Sequence, residues 1–212
     1  MAEPPYEFSN TWFRDNARPF WEQLVPGLQI TTALEVGSYE GASACFLVDE
    51  VASRTRLTLH CVDTWEGGIE HQPDGTAPAD MEAVEQRFHR NIQAAIGRAA
   101  HPVDLRIHKG YSDDCLVRLL AGGLAGSVDF IYIDGSHQAP DVLSDAVLAF
   151  KLLKVGGHLV FDDYIWAEIL PYGQDPVRCP KPAIDAFTTL YCRRLEILQA
   201  PLWQLYVRKT AD

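Results

Sequence analysis

The stretch Gln29-Ile30-Thr31-Thr32-Ala33-Leu34-Glu35-Val36-Gly37-Ser38-Tyr39-Glu40-Gly41 decides the fold. Its first nine residues read as a buried strand, and residues 38–53, SYEGASACFLVDEVAS, as the helix that follows. The glycines between them let the backbone turn sharply and come close to a ligand. Downstream, TRLTLHCVD is a second strand, and residues 66–80 form a loop rich in Gly, Pro and acids. MEAVEQRFHRNIQAAIG has helical periodicity, VDLRIHKG is a third strand and DDCLVRLLAG a third helix. SVDFIYIDG, APDVLSDAVLAFKLLK and GGHLVFDD continue as strand, helix and strand.

Strands that alternate with helices imply crossovers and a mainly parallel sheet. The near-continuous apolar run at residues 130–133 suits a sheet covered on both faces. After the helix KPAIDAFTTLYC, the strands LEILQA and WQLYVRK are split only by a short link at Pro201, which favours an antiparallel hairpin. The expected fold class is α/β, a Rossmann-like three-layer sandwich with a mostly parallel seven-stranded sheet and a C-terminal antiparallel hairpin. Upstream, Trp12, Phe13, Phe20, Trp21 and Leu24 recur near helical spacing until Pro26 and Gly27 end the pattern. Residues 1–27 are therefore expected as a helical cap on a main domain, 28–212.

The chain of 212 residues suits one domain, and its formal net charge of −11 argues against a nucleic-acid backbone as partner. Five scattered cysteines without a CxxC pair read as reduced thiols, with no sequence case for zinc. No apolar run is long enough for a bilayer and the first residues lack a signal-peptide pattern, so no membrane partner and a cytoplasmic location are expected. A homodimer is expected only because dimers are common.

Ligands of open α/β sheets gather at the carboxyl ends of the strands. At the first such end the spacing is acid-x-G-x-x-x-G, from Glu35 through Gly37 and Ser38 to Gly41, and not G-x-G-x-x-G. A dinucleotide sets its pyrophosphate on a helix N-terminus. S-adenosylmethionine has no phosphate but carries a sulfonium and an ammonium, which Glu35 can pair; a plain strand–helix turn with a structural glycine fits equally. The second strand ends in Asp63, followed by Thr64 and Trp65. Asp63 can accept from ribose hydroxyls or cap its own loop. Ser112, past the third strand, can meet an adenine edge or cap the next helix.

In that order, ALEVGSYEG, LHCVDTW, HKGYS, FIYIDGSH and GGHLVFDDY resemble the class I S-adenosylmethionine-dependent methyltransferases over residues 28–209. The resemblance implies that Glu35, Gly37 and Gly41 line the methionine end, Asp63 holds the ribose and Ser112 lies near the adenine. Asp134 ends the fourth strand, close enough to count with the cofactor site as well.

The fourth strand ends Asp134-Gly135-Ser136-His137 and the fifth ends Asp162-Asp163-Tyr164. Neighbouring strands would bring three carboxylates together, and their repulsion is relieved by a shared proton or a cation. An oxygen-only ligand set favours Mg²⁺. A cation there would lower the pKa of an acceptor hydroxyl, and His137 could take its proton. The pattern D-x-x-H followed by D-D is similar to two metal-dependent groups. The catechol O-methyltransferase-like enzymes carry a lysine where this chain has His137. The macrolide-sugar O-methyltransferases, such as the mycinamicin and macrocin enzymes, carry a comparable D-x-x-H. This resemblance implies Asp134, Asp162 and Asp163 as metal ligands, His137 as base with Asp134 in the catalytic set, and a hydroxylated small molecule as substrate, a sugar or natural product. Against it stands a reading in which the aspartates cap turns and His137 opens a helix that Pro140 supports.

Tyr39, Trp65, Tyr164, Trp166 and Tyr172 fall in or near loops on the same face, as walls for a ring or as lids of the core. The loop at 66–80, with His71, is a candidate lid and a source of a further ligand. Two other functions remain open at this stage: metal-independent methylation of nitrogen or oxygen, and a non-catalytic S-adenosylmethionine-binding module.

Overall fold

The computed structural model describes residues 6–168, 170–171 and 173–212. Among the described residues, seven strands form one sheet: β1 (Thr32–Val36), β2 (Leu57–Asp63), β3 (Val103–Lys109), β4 (Val128–Ile133), β5 (Leu153–Phe161), β6 (Leu195–Ile197) and β7 (Leu205–Lys209). Their order is β3-β2-β1-β4-β5-β7-β6. The first five pair in parallel, and β7 runs antiparallel to both β5 and β6. The mostly parallel sheet and its closing hairpin are as the sequence predicts. The order reverses between β1 and β4, where the carboxyl ends of the strands open a crevice.

Helices α1 (Arg18–Leu24), α2 (Ala42–Val51) and α3 (Met81–Arg98) cover one face; α4 (Ser112–Leu119), α5 (Ala139–Leu152) and α6 (Lys181–Leu190) cover the other. Strand alternation divides the core between them. Phe130 and Tyr132 of β4 join the first layer, while Val128, Ile131 and Ile133 join the second. All six β4 residues are buried, as expected for a central strand.

The N-terminal segment enters as a π-helical turn, Phe13–Ala17, running into α1. Trp21 is fully buried, edge-on to Phe130 at 5.1 Å and to Tyr132 at 4.9 Å. Its indole donates to Gln204 Oε1 at 3.2 Å. Four cysteines are buried, Cys192 is exposed, and all five are free thiols. Among the described residues, no helix is long and apolar enough to cross a membrane.

Candidate active site

The turn after β1 is shaped first by packing. Gly37 has φ +86°, and a Cβ there would stand 1.9 Å from the Asp134 carbonyl oxygen. Only glycine lets the ends of β1 and β4 come this close. Tyr39, Trp65 and Asp163 adopt the left-handed conformation at φ +46°, +51° and +54°. Non-glycine residues there cost of order 1 kcal/mol each and cluster at functional sites.

Asp63 braces this turn. Its Oδ2 accepts from the backbone N–H groups of Ser38 and Tyr39, both at 2.8 Å, and its Oδ1 accepts from Trp65 N–H at 2.7 Å. Asp63 thus caps its own loop, and it also lines a cavity with acceptor capacity left on Oδ1. Glu35 lies beneath the turn, fully buried, and accepts from Ser43 Oγ at 2.9 Å. It lines neither main cavity. Burial pushes its carboxyl up to about 7, with Asp63 adding repulsion and Ser38 and Ser43 opposing. Trp65 turns into the core against Phe88 at 4.9 Å, while Thr64 stays on a cavity wall.

Beside the turn sits the carboxylate cluster. Tyr132, buried on β4, contacts Asp134 Oδ2 at 3.0 Å and Asp162 Oδ2 at closer range. One phenol supplies one proton. The second contact closes only if a carboxyl brings its own proton, or if a cation removes the repulsion. Burial first, then the neighbouring aspartates, holds the Asp134 carboxyl well above the ordinary range and brings that of Asp162 to about 6. Asp162 Oδ1 also accepts from Asp163 N–H at 2.8 Å. The donor atoms that converge within 4.8 Å of one another belong to Asp134, His137 and Asp163. The sequence leads instead to Asp134, Asp162 and Asp163; Asp162 is turned toward Tyr132.

His137 is clamped. Its Nε2 lies 2.9 Å from Asp163 Oδ2, and its Nδ1 faces Glu70 Oε1 at 3.3 Å. The second contact has ion-pair distance without hydrogen-bond alignment, since Nδ1 is a buried atom lacking a hydrogen-bond partner. Burial disfavours the charged ring, but Asp163 and Glu70 outweigh it and raise its pKa to about 10. The same pairing holds the Glu70 carboxyl below its ordinary range against the cost of burial.

Two cavities meet here. The larger, about 610 Å³, runs past Asp63, Thr64, Gly110 and Ser112. The smaller, about 440 Å³, contains Ser38, His137, Asp162, Asp163, Trp166 and Trp203. Gly37, Tyr39, Glu70, His71, Asp134 and Gly135 line both. The 66–80 loop is thus the partition between them, with one short helical turn, Ile69–His71. Among the described residues, neither cavity is lined by a lysine or an arginine.

Some functional residues escape a sequence reading. Glu70 sits in an acid-rich loop where nothing in the sequence marks one acid, and only the structure shows it packed over Gly68, where a Cβ would meet Glu70 Oε1 at 2.5 Å. Phe8, Trp12 and Phe13 of the N-terminal segment line the smaller cavity, beyond the core-covering role expected of that segment. Trp12 packs against Tyr39 at 5.6 Å and stacks near His71 at 6.1 Å. Of the loop aromatics, Tyr39 and Trp166 line the smaller cavity. Tyr164 instead donates to Asp185 Oδ1 at 2.8 Å, and Tyr172 lies outside the described residues.

The chain is 25% identical over 133 residues to an uncharacterized protein, R132, of Acanthamoeba polyphaga mimivirus, covering 63% of this chain and 51% of the relative. It is 34% identical over 70 residues to tricin synthase 1 of Oryza sativa subsp. japonica, covering 32% and 27%. The chain therefore matches about half, or less, of the length of these curated relatives. An O-methyltransferase from Bacillus cereus, solved in complex with SAH, superposes with a TM-score of 0.62 at 18% identity, covering 97% of this chain and 84% of that one. That likeness establishes the shared fold. A family model described as a methyltransferase domain matches residues 34–164, from β1 through the end of β5, and the chain belongs to that family.

Proposed function

We propose that this protein transfers a methyl group from S-adenosylmethionine to a hydroxyl of a small ring-containing molecule, assisted by a divalent cation. The observation that carries the reading is the junction of two cavities at Gly37, Asp134 and Gly135. One cavity is large enough for a nucleoside and the other holds the acid–histidine cluster. Walls with Asp63, Glu70, Asp113, Asp114, Asp134, Asp141 and Asp145, and no lysine or arginine among the described residues, suit a cationic cofactor and repel phosphates. The Bacillus cereus relative, an O-methyltransferase holding SAH, supports the same choice.

The donor set fits a hard divalent ion such as Mg²⁺, with Asp134 and Asp163 as the residues that would hold it. Bound there, such an ion supplies Lewis-acid activation of the acceptor hydroxyl. His137 would receive the hydroxyl proton, and Glu70, facing its far nitrogen, balances the imidazolium. Paired with both acids, His137 is held protonated and is not yet a base. Were Asp163 drawn away to a bound cation, its pairing with His137 would loosen and the ring would be freed to act as a base. Trp12, Tyr39 and Trp166 offer flat walls for a ring.

The test is transfer of radiolabelled methyl from S-adenosylmethionine to a panel of hydroxylated sugars and phenols. EDTA should abolish transfer and added Mg²⁺ restore it. Full activity in EDTA would remove the metal from the proposal, and transfer only to amines would remove the hydroxyl.

A further inference from the structure

The larger cavity holds a carboxylate that this mechanism leaves unused. Gln138, the residue that precedes α5, and Asp141, Ser144 and Asp145 in its first two turns line the cavity together. Their i, i+3 and i, i+4 spacings place them on one helix face. Asp141 is held by the Ser136 hydroxyl, which donates to its Oδ2 at 2.8 Å. Asp145 differs: it is 1% exposed, and its Oδ1 is a buried atom with no hydrogen-bond partner among the described residues. Ser112, the first residue of α4, is close enough to ease its charge without closing a bond to that oxygen. Burial, with Asp141 and Asp113 nearby, pushes its carboxyl up to about 7.

A buried acceptor without a donor is costly, and a ligand that brings an N–H to it recovers that cost. A ligand edge made of carbonyl or phosphate oxygens meets repulsion from the ionised carboxylate. Asp145 shares the larger cavity with Gly110, Tyr111 and Ser112 after β3 and is absent from the smaller one, where His137, Asp162 and Asp163 lie. This is the end of the site remote from the chemistry, where the base of a nucleoside belongs.

We propose that Asp145 selects adenine by accepting a hydrogen bond from its exocyclic amine, with Ser112 beside it. The inference deepens the S-adenosylmethionine reading and rests on it. Asp145 is a specificity-determining residue in this assignment.

The experiment is isothermal titration of the full chain, at about pH 8.5 where the Asp145 carboxyl is ionised, with S-adenosylhomocysteine and with S-inosylhomocysteine, in which a carbonyl replaces the amine and N1 carries a hydrogen. Wild type should favour the adenine compound about tenfold to a hundredfold, the worth of a hydrogen bond to a charged group. In Asp145→Asn the side-chain amide can donate to the carbonyl, and the preference should narrow by at least about tenfold. Asp145→Ala should also lose discrimination, while its ligand-free melting temperature stays level or rises because an unpartnered buried acid is gone. Unchanged preference in both variants overturns the assignment, as does equal weakening of both ligands. If wild type binds the adenine compound without discriminating, the assignment fails and the cofactor reading stands. If wild type binds neither compound, both fail together.

Discussion

Replacing Glu35 by Gln should change the pH dependence of stability in a calculable way. Glu35 is fully buried beneath the β1 turn, with only Oε2 hydrogen-bonded, to Ser43. Burial is the largest cause that lifts its carboxyl from 4.5 to about 7. In the unfolded chain this group ionises near its ordinary value. Between those two values the native state keeps a proton that the unfolded state has lost, so stability falls as pH rises through the window and levels off above it. At about 1.4 kcal/mol for each tenfold change in proton affinity, the loss reaches about 3 kcal/mol. Glutamine cannot ionise. The variant should therefore gain about 3 kcal/mol on wild type between about pH 4.5 and pH 8, whatever its offset at the acid end. Other titrating groups, such as Asp145, cancel in the difference when they lie far enough away to act independently. Urea denaturation of both proteins across that range reads the effect. A stability difference that does not move with pH would refute the reasoning, since the carboxyl would then ionise alike in both states.

Gly37→Ala should prevent the ends of β1 and β4 from packing, because the new methyl falls 1.9 Å from the Asp134 carbonyl oxygen; soluble yield and melting temperature should both drop sharply. Trp21→Ala removes an indole packed edge-on against Phe130 and Tyr132 and should cost about 3–5 kcal/mol in chemical denaturation. Glu70→Gln takes away one of the two acids that raise His137, so an NMR titration of the imidazole should show its midpoint falling from about 10. His137→Ala should slow methyl transfer by about 10²–10⁴-fold while S-adenosylhomocysteine affinity stays within a few-fold, since the ring would act on the acceptor proton alone.

Most of the fold was legible because its signals are local and repeated. The run Phe130 to Ile133 is apolar without interruption and becomes the buried central strand β4. The short link at Pro201 becomes the connection of the antiparallel β6–β7 pair. The strand-end acids were also legible, since sheet geometry alone brings Asp134, Asp162 and Asp163 to one edge. What could not be read is direction. Whether Asp162 faces a cation or Tyr132 depends on a phenol one strand away, and in sequence Tyr132 is only another core residue. Trp65 follows Asp63 like a ligand-contacting residue, but a left-handed backbone turns its ring into the core. Glu70 and Trp12 reach the site through long-range folding of a loop and of the N-terminal segment, which no periodicity encodes.

The central claim is that a methyl donor spans the larger cavity and presents its reactive end where Gly37 and Asp134 join the two. A crystal structure of the protein with S-adenosylhomocysteine and Mg²⁺ tests it directly. The sulfur should lie at that junction, the adenine ring beside Ser112 and Asp145, and an ion between Asp134 and Asp163. Density for the nucleoside outside the larger cavity, or a sulfur turned away from Asp134, would contradict it.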